Sequence, residues 1–172
     1  MIEAHSAQRK NALFSGLILF LISTTLPKEA LAQETVTTEQ AEALITPLYA
    51  ALAASSPDDV ATLLASVTSP QWESCGGNET CLPRDAVIAS VTKRVSVFPE
   101  MKFAPREVLV SGNRIVVRGE NWGTPSGAFL GITSRGKSFR IMTIDIHSVE
   151  NGKIVRSYHV EDWLRATRQL SE

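Results

Sequence analysis

From Lys102 onward the chain is written almost entirely in period two. Apolar and polar residues alternate through Lys102–Val110, Arg114–Asn121, Ala128–Thr133, Ser138–Ser148 and Ile154–Val160. Alternation puts successive side chains on opposite faces of a strand and leaves one face of the sheet to be covered. The breaks carry turn chemistry: Ser111-Gly112-Asn113, Thr124-Pro125-Ser126-Gly127, Ser134-Arg135-Gly136 and Asn151-Gly152. Short connections of this kind join neighbouring antiparallel strands. A run of hairpin-linked strands needs an apolar cover, and only the preceding segments can supply it.

Those segments are helical in pattern. Thr37 and Gln40 stand at capping-box spacing ahead of a helix from about Thr38 to Ala54. Ala41, Leu44, Ile45, Leu48, Ala51 and Leu52 form its apolar stripe. Pro47 inside the stripe predicts a kink or a later first turn. Ser56, Pro57 and Asp59 open a second helix to about Ser66, with Val60, Leu63, Leu64 and Val67 inward. Arg84–Val97 is the third, with Val87, Ile88, Val91 and Val95 along one side, ended by Phe98-Pro99. Ser69–Pro83 reads as a loop, and Trp163–Leu170 has the length of a short closing helix. Helices followed by hairpins give an α+β order. The expected fold is a curved antiparallel sheet with about three helices packed on it. So few short helices cannot fill the concavity, so a central pocket is expected.

Composition sets the class. The 172 residues are 44% hydrophobic and 20% charged, which fits one globular domain and excludes a disordered tail or a multi-span membrane protein. With 17 basic and 18 acidic residues the net charge is −1, so no nucleic-acid partner is expected. The N-terminus reads as an export signal. Arg9 and Lys10 precede the uncharged stretch Ala12–Leu26, and Ala30-Leu31-Ala32 offers a small-x-small cleavage site. The stretch is shorter than the about 20 residues of a spanning helix. A signal peptide over residues 1–32 and a periplasmic or secreted domain over 33–172, without a membrane anchor, are therefore expected. Cleavage removes His5 and leaves His147 and His159.

Cys75 and Cys81 flank Gly76-Gly77-Asn78-Glu79-Thr80. In an exported chain the pair is expected as a local disulfide, with free thiols and a redox or metal role as alternatives. The spacing is not C-x-x-C, and no His stands nearby to complete a zinc site. The chain lacks a phosphate loop, G-x-G-x-x-G, H-E-x-x-H and G-x-S-x-G, and neither a metal nor a cofactor is expected.

A resemblance sharpens this picture. Its blocks are Phe98-Pro99-Glu100-Met101, Gly112-Asn113-Arg114-Ile115-Val116-Val117-Arg118, and Gly123-Thr124-Pro125-Ser126-Gly127-Ala128-Phe129-Leu130-Gly131-Ile132. Gly136-Lys137-Ser138-Phe139 and Ile144-Asp145-Ile146-His147-Ser148-Val149-Glu150-Asn151-Gly152-Lys153-Ile154-Val155 follow. In order and spacing the series resembles the SnoaL-like polyketide cyclase (ester cyclase) family of the nuclear transport factor 2-like superfamily, over about Glu39 to Leu170. The resemblance implies a cone-like α+β fold with one deep pocket. It also implies ring closure by an intramolecular aldol reaction without metal or covalent intermediate, with an aspartate as general acid/base. By the pattern GKIV-x-x-W-x-x-x-D that aspartate corresponds to Asp162, with Tyr158 in place of the Trp and Arg156 and Ser157 in place of the usual polar pair. A family histidine of the penultimate strand falls near His147. The family's histidine before the third helix is missing, and the Cys75–Cys81 segment stands there instead.

Strand parity adds candidates. Ile154, Arg156, Tyr158 and Val160 share a face with Asp162 following; so do Phe139, Ile141, Thr143, Asp145 and His147; so do Val116, Arg118, Glu120 and Trp122. With these faces concave, the pocket holds Arg118, Glu120, Trp122, Asp145, His147, Tyr158 and Asp162, and His159 faces solvent. Asp162 is either the acid/base residue, given a pKa raised by burial, or the cap of the closing helix. Asp145 needs a partner, expected to be Arg118, in a structural or a substrate-orienting pair. His147 shuttles a proton, donates to a ligand oxygen, or fills the core. Tyr158 and Trp122 stack on a flat ligand or pack inside. Glu120 is a second carboxylate or a surface residue.

Two functions fit. One is an exported, cofactor-independent cyclase or isomerase acting on a small carbonyl compound by acid/base catalysis. The other is a non-catalytic module holding a small hydrophobic ligand in the same pocket. An exposed sheet face in such a fold commonly pairs with a second copy, so a homodimer is also expected.

Overall fold

Thr37 accepts a hydrogen bond from the Gln40 amide, and the Gln40 side chain accepts one from the Thr37 N–H, so the first helix begins at its capping box. The computed structural model describes residues 35–133 and 135–172, and at residue 97 the backbone alone. The expected leader over residues 1–32 lies outside them. Helix α1 (Thr38–Leu52) runs through Pro47 without ending, and α2 (Pro57–Val67) starts where Ser56 caps the Asp58 amide. Then come β1 (Thr68–Cys75), β2 (Cys81–Pro83), α3 (Arg84–Val97), β3 (Lys102–Ser111), β4 (Arg114–Gly123), β5 (Ala128–Phe129), β6 (Ile132–Thr133), β7 (Phe139–Glu150), β8 (Lys153–Glu161) and α4 (Trp163–Ser171).

The fold is α+β, as expected. A curved six-stranded sheet has the order β2-β1-β8-β7-β4-β3, and β5 and β6 form a separate ribbon. Three expectations are corrected. Residues 69–83 are not a loop but mainly strands β1 and β2, and β1 runs parallel to β8, so the sheet is mixed rather than antiparallel. The strand was hidden because its register against β8 shifts between Thr68 and Glu73, which spaces the buried Thr68, Trp72 and Cys75 irregularly. Residues 128–133 are not one strand, because Leu130 and Gly131 both take positive φ (53 and 76°) and fold the segment back on itself. The helices number four among the described residues, α4 included. Cys75 and Cys81 are bonded to each other across the β1–β2 ladder, with Cα atoms 4.0 Å apart.

Helices α1 to α3 cover the inner face around Ile45, Leu48, Val60, Leu64, Ile115, Val117 and Ile154. A second cluster joins Phe98, Met101, Phe139 and Ile141 to Ala166 and Leu170 of α4. Each of these side chains larger than alanine contributes about 1.5–3 kcal/mol on burial.

Two local features decide what points inward. On β7 the alternation is regular, and Phe139, Ile141, Thr143, Asp145, His147 and Val149 are buried. On β8 it is not. Ser148 pairs with Arg156 but Val149 pairs with Ile154, so Val155 is an extra residue in the ladder. This bulge reverses the parity beyond it. Ile154 and Ser157 are both buried, His159 and Glu161 follow on the inner side, and Arg156, Tyr158 and Val160 turn outward.

On β4 the inner residues are Ile115, Val117, Gly119, Asn121 and Gly123. Gly119 allows α1 and β7 to close on it: a Cβ there would lie 2.6 Å from Thr143 Oγ1 and 3.2 Å from Tyr49 Oη. Gly119→Ala is expected to cost ~1–3 kcal/mol in urea denaturation, an overpacking penalty. Gly127→Ala, with nothing within 4 Å of its Cβ, serves as the control and should change stability by less than ~0.5 kcal/mol.

Candidate functional site

Asp145 is only 4% exposed, in the middle of an apolar strand. A charge so placed must be matched. Tyr49, on the buried stripe of α1, donates its hydroxyl to Asp145 Oδ2 at 2.5 Å. His159 Nδ1 meets Oδ1 at 2.5 Å. The other nitrogen of His159 lies 3.1 Å from Glu161 Oε2, and Glu161 Oε1 accepts from Asn121 Nδ2 at 2.6 Å. Both imidazole nitrogens therefore face carboxylates, and both carry hydrogens. Burial alone would lower the pKa of His159, but the bonds to Asp145 and Glu161 outweigh it and hold the imidazolium up at about 10. For Asp145, burial works to raise the pKa, and the His159 bond and charge reverse this and keep it below the ordinary value. Burial first, and then the Asp145 charge, push the Tyr49 hydroxyl above its ordinary value, so it stays a donor.

His147, 2% exposed, has a different environment. Its Nδ1 lies 2.8 Å from Ser157 Oγ, and Trp72 Nε1 donates to the same oxygen at 2.9 Å. An indole N–H can only donate, so the hydroxyl proton of Ser157 is available to His147 Nδ1. With Ser157 donating to Nδ1, a neutral His147 carries its own proton on Nε2, and that nitrogen is buried without a partner. Burial drives the His147 pKa down to about 4, so the ring is neutral at pH 7.

These groups floor a cavity of about 230 Å³ between α1, α3 and the sheet. Leu48, Leu52, Val87, Val91 and Phe103 supply apolar walls, and Trp72, Arg94, Asp145, His147, Ser157, His159 and Glu161 supply polar ones. Arg94 reaches in from α3, donating Nη2 to the Leu52 carbonyl at 2.5 Å with its guanidinium 5.2 Å above the Phe103 ring. Its Nη1 is buried and unpartnered. Among the described residues no three His, Cys, Asp or Glu side chains are grouped to hold a metal ion.

Of the residues singled out in the sequence, Asp145 and His147 come together here, and the others do not. Arg118 does not pair with Asp145; it lies on the outer face and donates to Glu107 at 3.0 Å. Glu120, also outward, is held by Arg106 and Arg140 at 2.7 and 2.8 Å, and these guanidiniums lie over the ring of the outward-facing Trp122 at 5.8 and 5.1 Å. The concave places on β4 belong instead to apolar residues, glycine and asparagine. The bulge at Val155 turns Tyr158 outward and brings His159, expected at the surface, into the cavity wall. Asp162 is exposed and caps α4, its Oδ1 accepting from the Arg165 amide at 3.0 Å. Tyr49 stands four residues after Ile45 on the same stripe, where the sequence pattern signals only core packing. Ser157 and Glu161 were concealed by the same bulge.

A helix-covered sheet with a mixed apolar and polar hollow beneath the helices is the form of a small-molecule site. The chain belongs to the SnoaL-like polyketide cyclase family, whose model matches residues 48–170, a span that includes every cavity residue named above. TsrD from Streptomyces laurentii shares the fold with a TM-score of 0.66 at 21% identity, over 79% of this chain and 98% of its own. A SnoaL-like protein from Jannaschia sp. CCS1 gives 0.66 at 18%, over 78% and 92%. IdmH from Streptomyces antibioticus gives 0.65 at 21%, over 76% and 98%. At these identities the likeness speaks for the fold. A comparison with curated proteins finds no match.

The two histidines give stability opposite pH slopes. His147 is lowered in the folded state, so between its ordinary 6.5 and about 4 the unfolded chain binds more protons and stability falls as the pH drops. His159 is raised, so its contribution is complete below 6.5 and is lost as the pH climbs through about 10. In urea denaturation across this range, His147→Gln should flatten the acid limb and His159→Gln the alkaline limb, each leaving the other slope in place.

Proposed function

We propose that the protein is an exported, cofactor-independent enzyme of the cyclase or isomerase kind, acting on a small carbonyl compound by general acid/base chemistry. Family membership supports the reaction class. The observation that carries the reading is the meeting, in one cavity, of a neutral His147 with an unpartnered Nε2 and the Asp145 carboxylate. The chemistry needs a proton removed beside a carbonyl and the resulting oxyanion stabilised. His147 donates Nε2–H to the carbonyl oxygen. Asp145 accepts the proton on a lone pair left over from its bonds to Tyr49 and His159. A carboxylate stabilised by two donors is a weak base. The substrate proton is therefore an acidic one, such as lies between two carbonyl groups. The leader pattern over residues 1–32 supports export. Pairing with a second copy is supported by Leu109, Met142 and Val160, exposed by 57, 52 and 57%.

The position of Asp162 outside the cavity favours a second reading, a non-catalytic module that holds a small hydrophobic ligand. Methyl 3,7-dioxooctanoate, whose doubly activated carbon can close a six-membered ring on the distal ketone, separates the two. The enzyme reading expects cyclisation by the native protein, a fall of about 10²-fold or more in kcat for Asp145→Asn, a comparable loss for His147→Phe, and Asp162→Asn unchanged within twofold. Binding of the diketone without any cyclisation would leave the module.

A further inference from the structure

The cavity contains a second unmet demand besides His147. Arg94 makes no ion pair among the described residues, and its Nη1 is buried without an acceptor although the neighbouring Nη2 is anchored to Leu52. A buried donor left unpaired costs free energy, more so on a charged group. Asp145 and Glu161, the carboxylates of the cavity wall, are already engaged by Tyr49, His159 and Asn121. No acceptor among the described residues meets this demand.

Arg94 also stands at a junction. Together with Ser90 it lines both the inner cavity and a neighbouring hollow of about 390 Å³, whose walls include Lys93, Phe98, Ser126 and Phe129 and no acidic residue. The inner cavity thus combines apolar walls with a polar floor, where Asp145 and Glu161 are already engaged and the His147 Nε2 is not, and the outer hollow is lined by cations without a carboxylate. We infer that the natural ligand is an oxo-acid anion, its carboxylate held by Arg94 with Lys93 nearby and its carbonyl turned inward to His147 Nε2. The assignment rests on the proposed function for the carbonyl and adds the anionic end. Arg94 offers a carboxylate the planar donor geometry it matches best, and Lys93 adds charge at the entry side.

Calorimetric titration with 7-oxooctanoate and with its neutral methyl ester tests this without requiring turnover. The native protein should bind the acid at least tenfold more tightly than the ester. Arg94→Gln, which keeps a donor for the Leu52 carbonyl, should bring acid and ester within threefold of each other and leave the ester affinity within threefold of native. The comparison in the native protein decides even where the variant fails to fold. Equal or tighter binding of the ester, or an unchanged preference in a folded Arg94→Gln protein, would overturn the carboxylate assignment while the carbonyl reading stands. Binding of neither compound would overturn both.

Discussion

A single buried carboxylate organises the inner face of this protein. Asp145 stands on the central part of β7, under the helices, where an unmatched charge would cost several kcal/mol. Its partners come from far apart in the sequence: Tyr49 on α1 and His159 on β8. Each can reach only because of a backbone feature elsewhere. Gly119 gives up its side chain so that the Tyr49 hydroxyl and Thr143 can approach β4. The extra residue at Val155 rotates β8 so that His159, and not Tyr158, turns inward. Helix docking, strand register and charge satisfaction are thus one constraint seen from three sides.

The same constraint separates the roles of the two histidines. His159 lies between Asp145 and Glu161 and is held as a cation with both nitrogens engaged. His147, two residues along β7 from Asp145, meets only the Ser157 hydroxyl and stays neutral. One ring balances charge, and the other holds a buried nitrogen without a partner. This division, together with the unpaired Arg94 donor, turns an apolar hollow into a site with polarity at defined points.

Much of the architecture was legible in the chain. The capping box at Thr37 and Gln40, the Pro57 start of α2 and the alternation on β7 all act locally, so local pattern reveals them. The same regular alternation places Asp145 and His147 on the inner face. The rest depends on register. Val155 carries no glycine or proline to announce its bulge, yet one unpaired residue there exchanges the faces of everything after it. On β4 the alternation was visible, but which face looks inward was not. Arg118, Glu120 and Trp122 read as pocket residues because charge and aromatic area suit ligands, whereas on the outer face Glu107 meets Arg118, and Arg106 and Arg140 meet Glu120 and Trp122. Gly119 and Gly123 were the signal for the inner face, since both leave room that Tyr49, Thr143 and Phe98 crowd.

The most direct measurement is a nitrogen-detected NMR titration of the two imidazole rings. At pH 7 the account predicts that His159 is doubly protonated and that His147 is neutral with its proton on Nε2, and that neither changes state between pH 6 and 8. A His159 that titrates near the ordinary 6.5, or a His147 protonated on Nδ1, would contradict it.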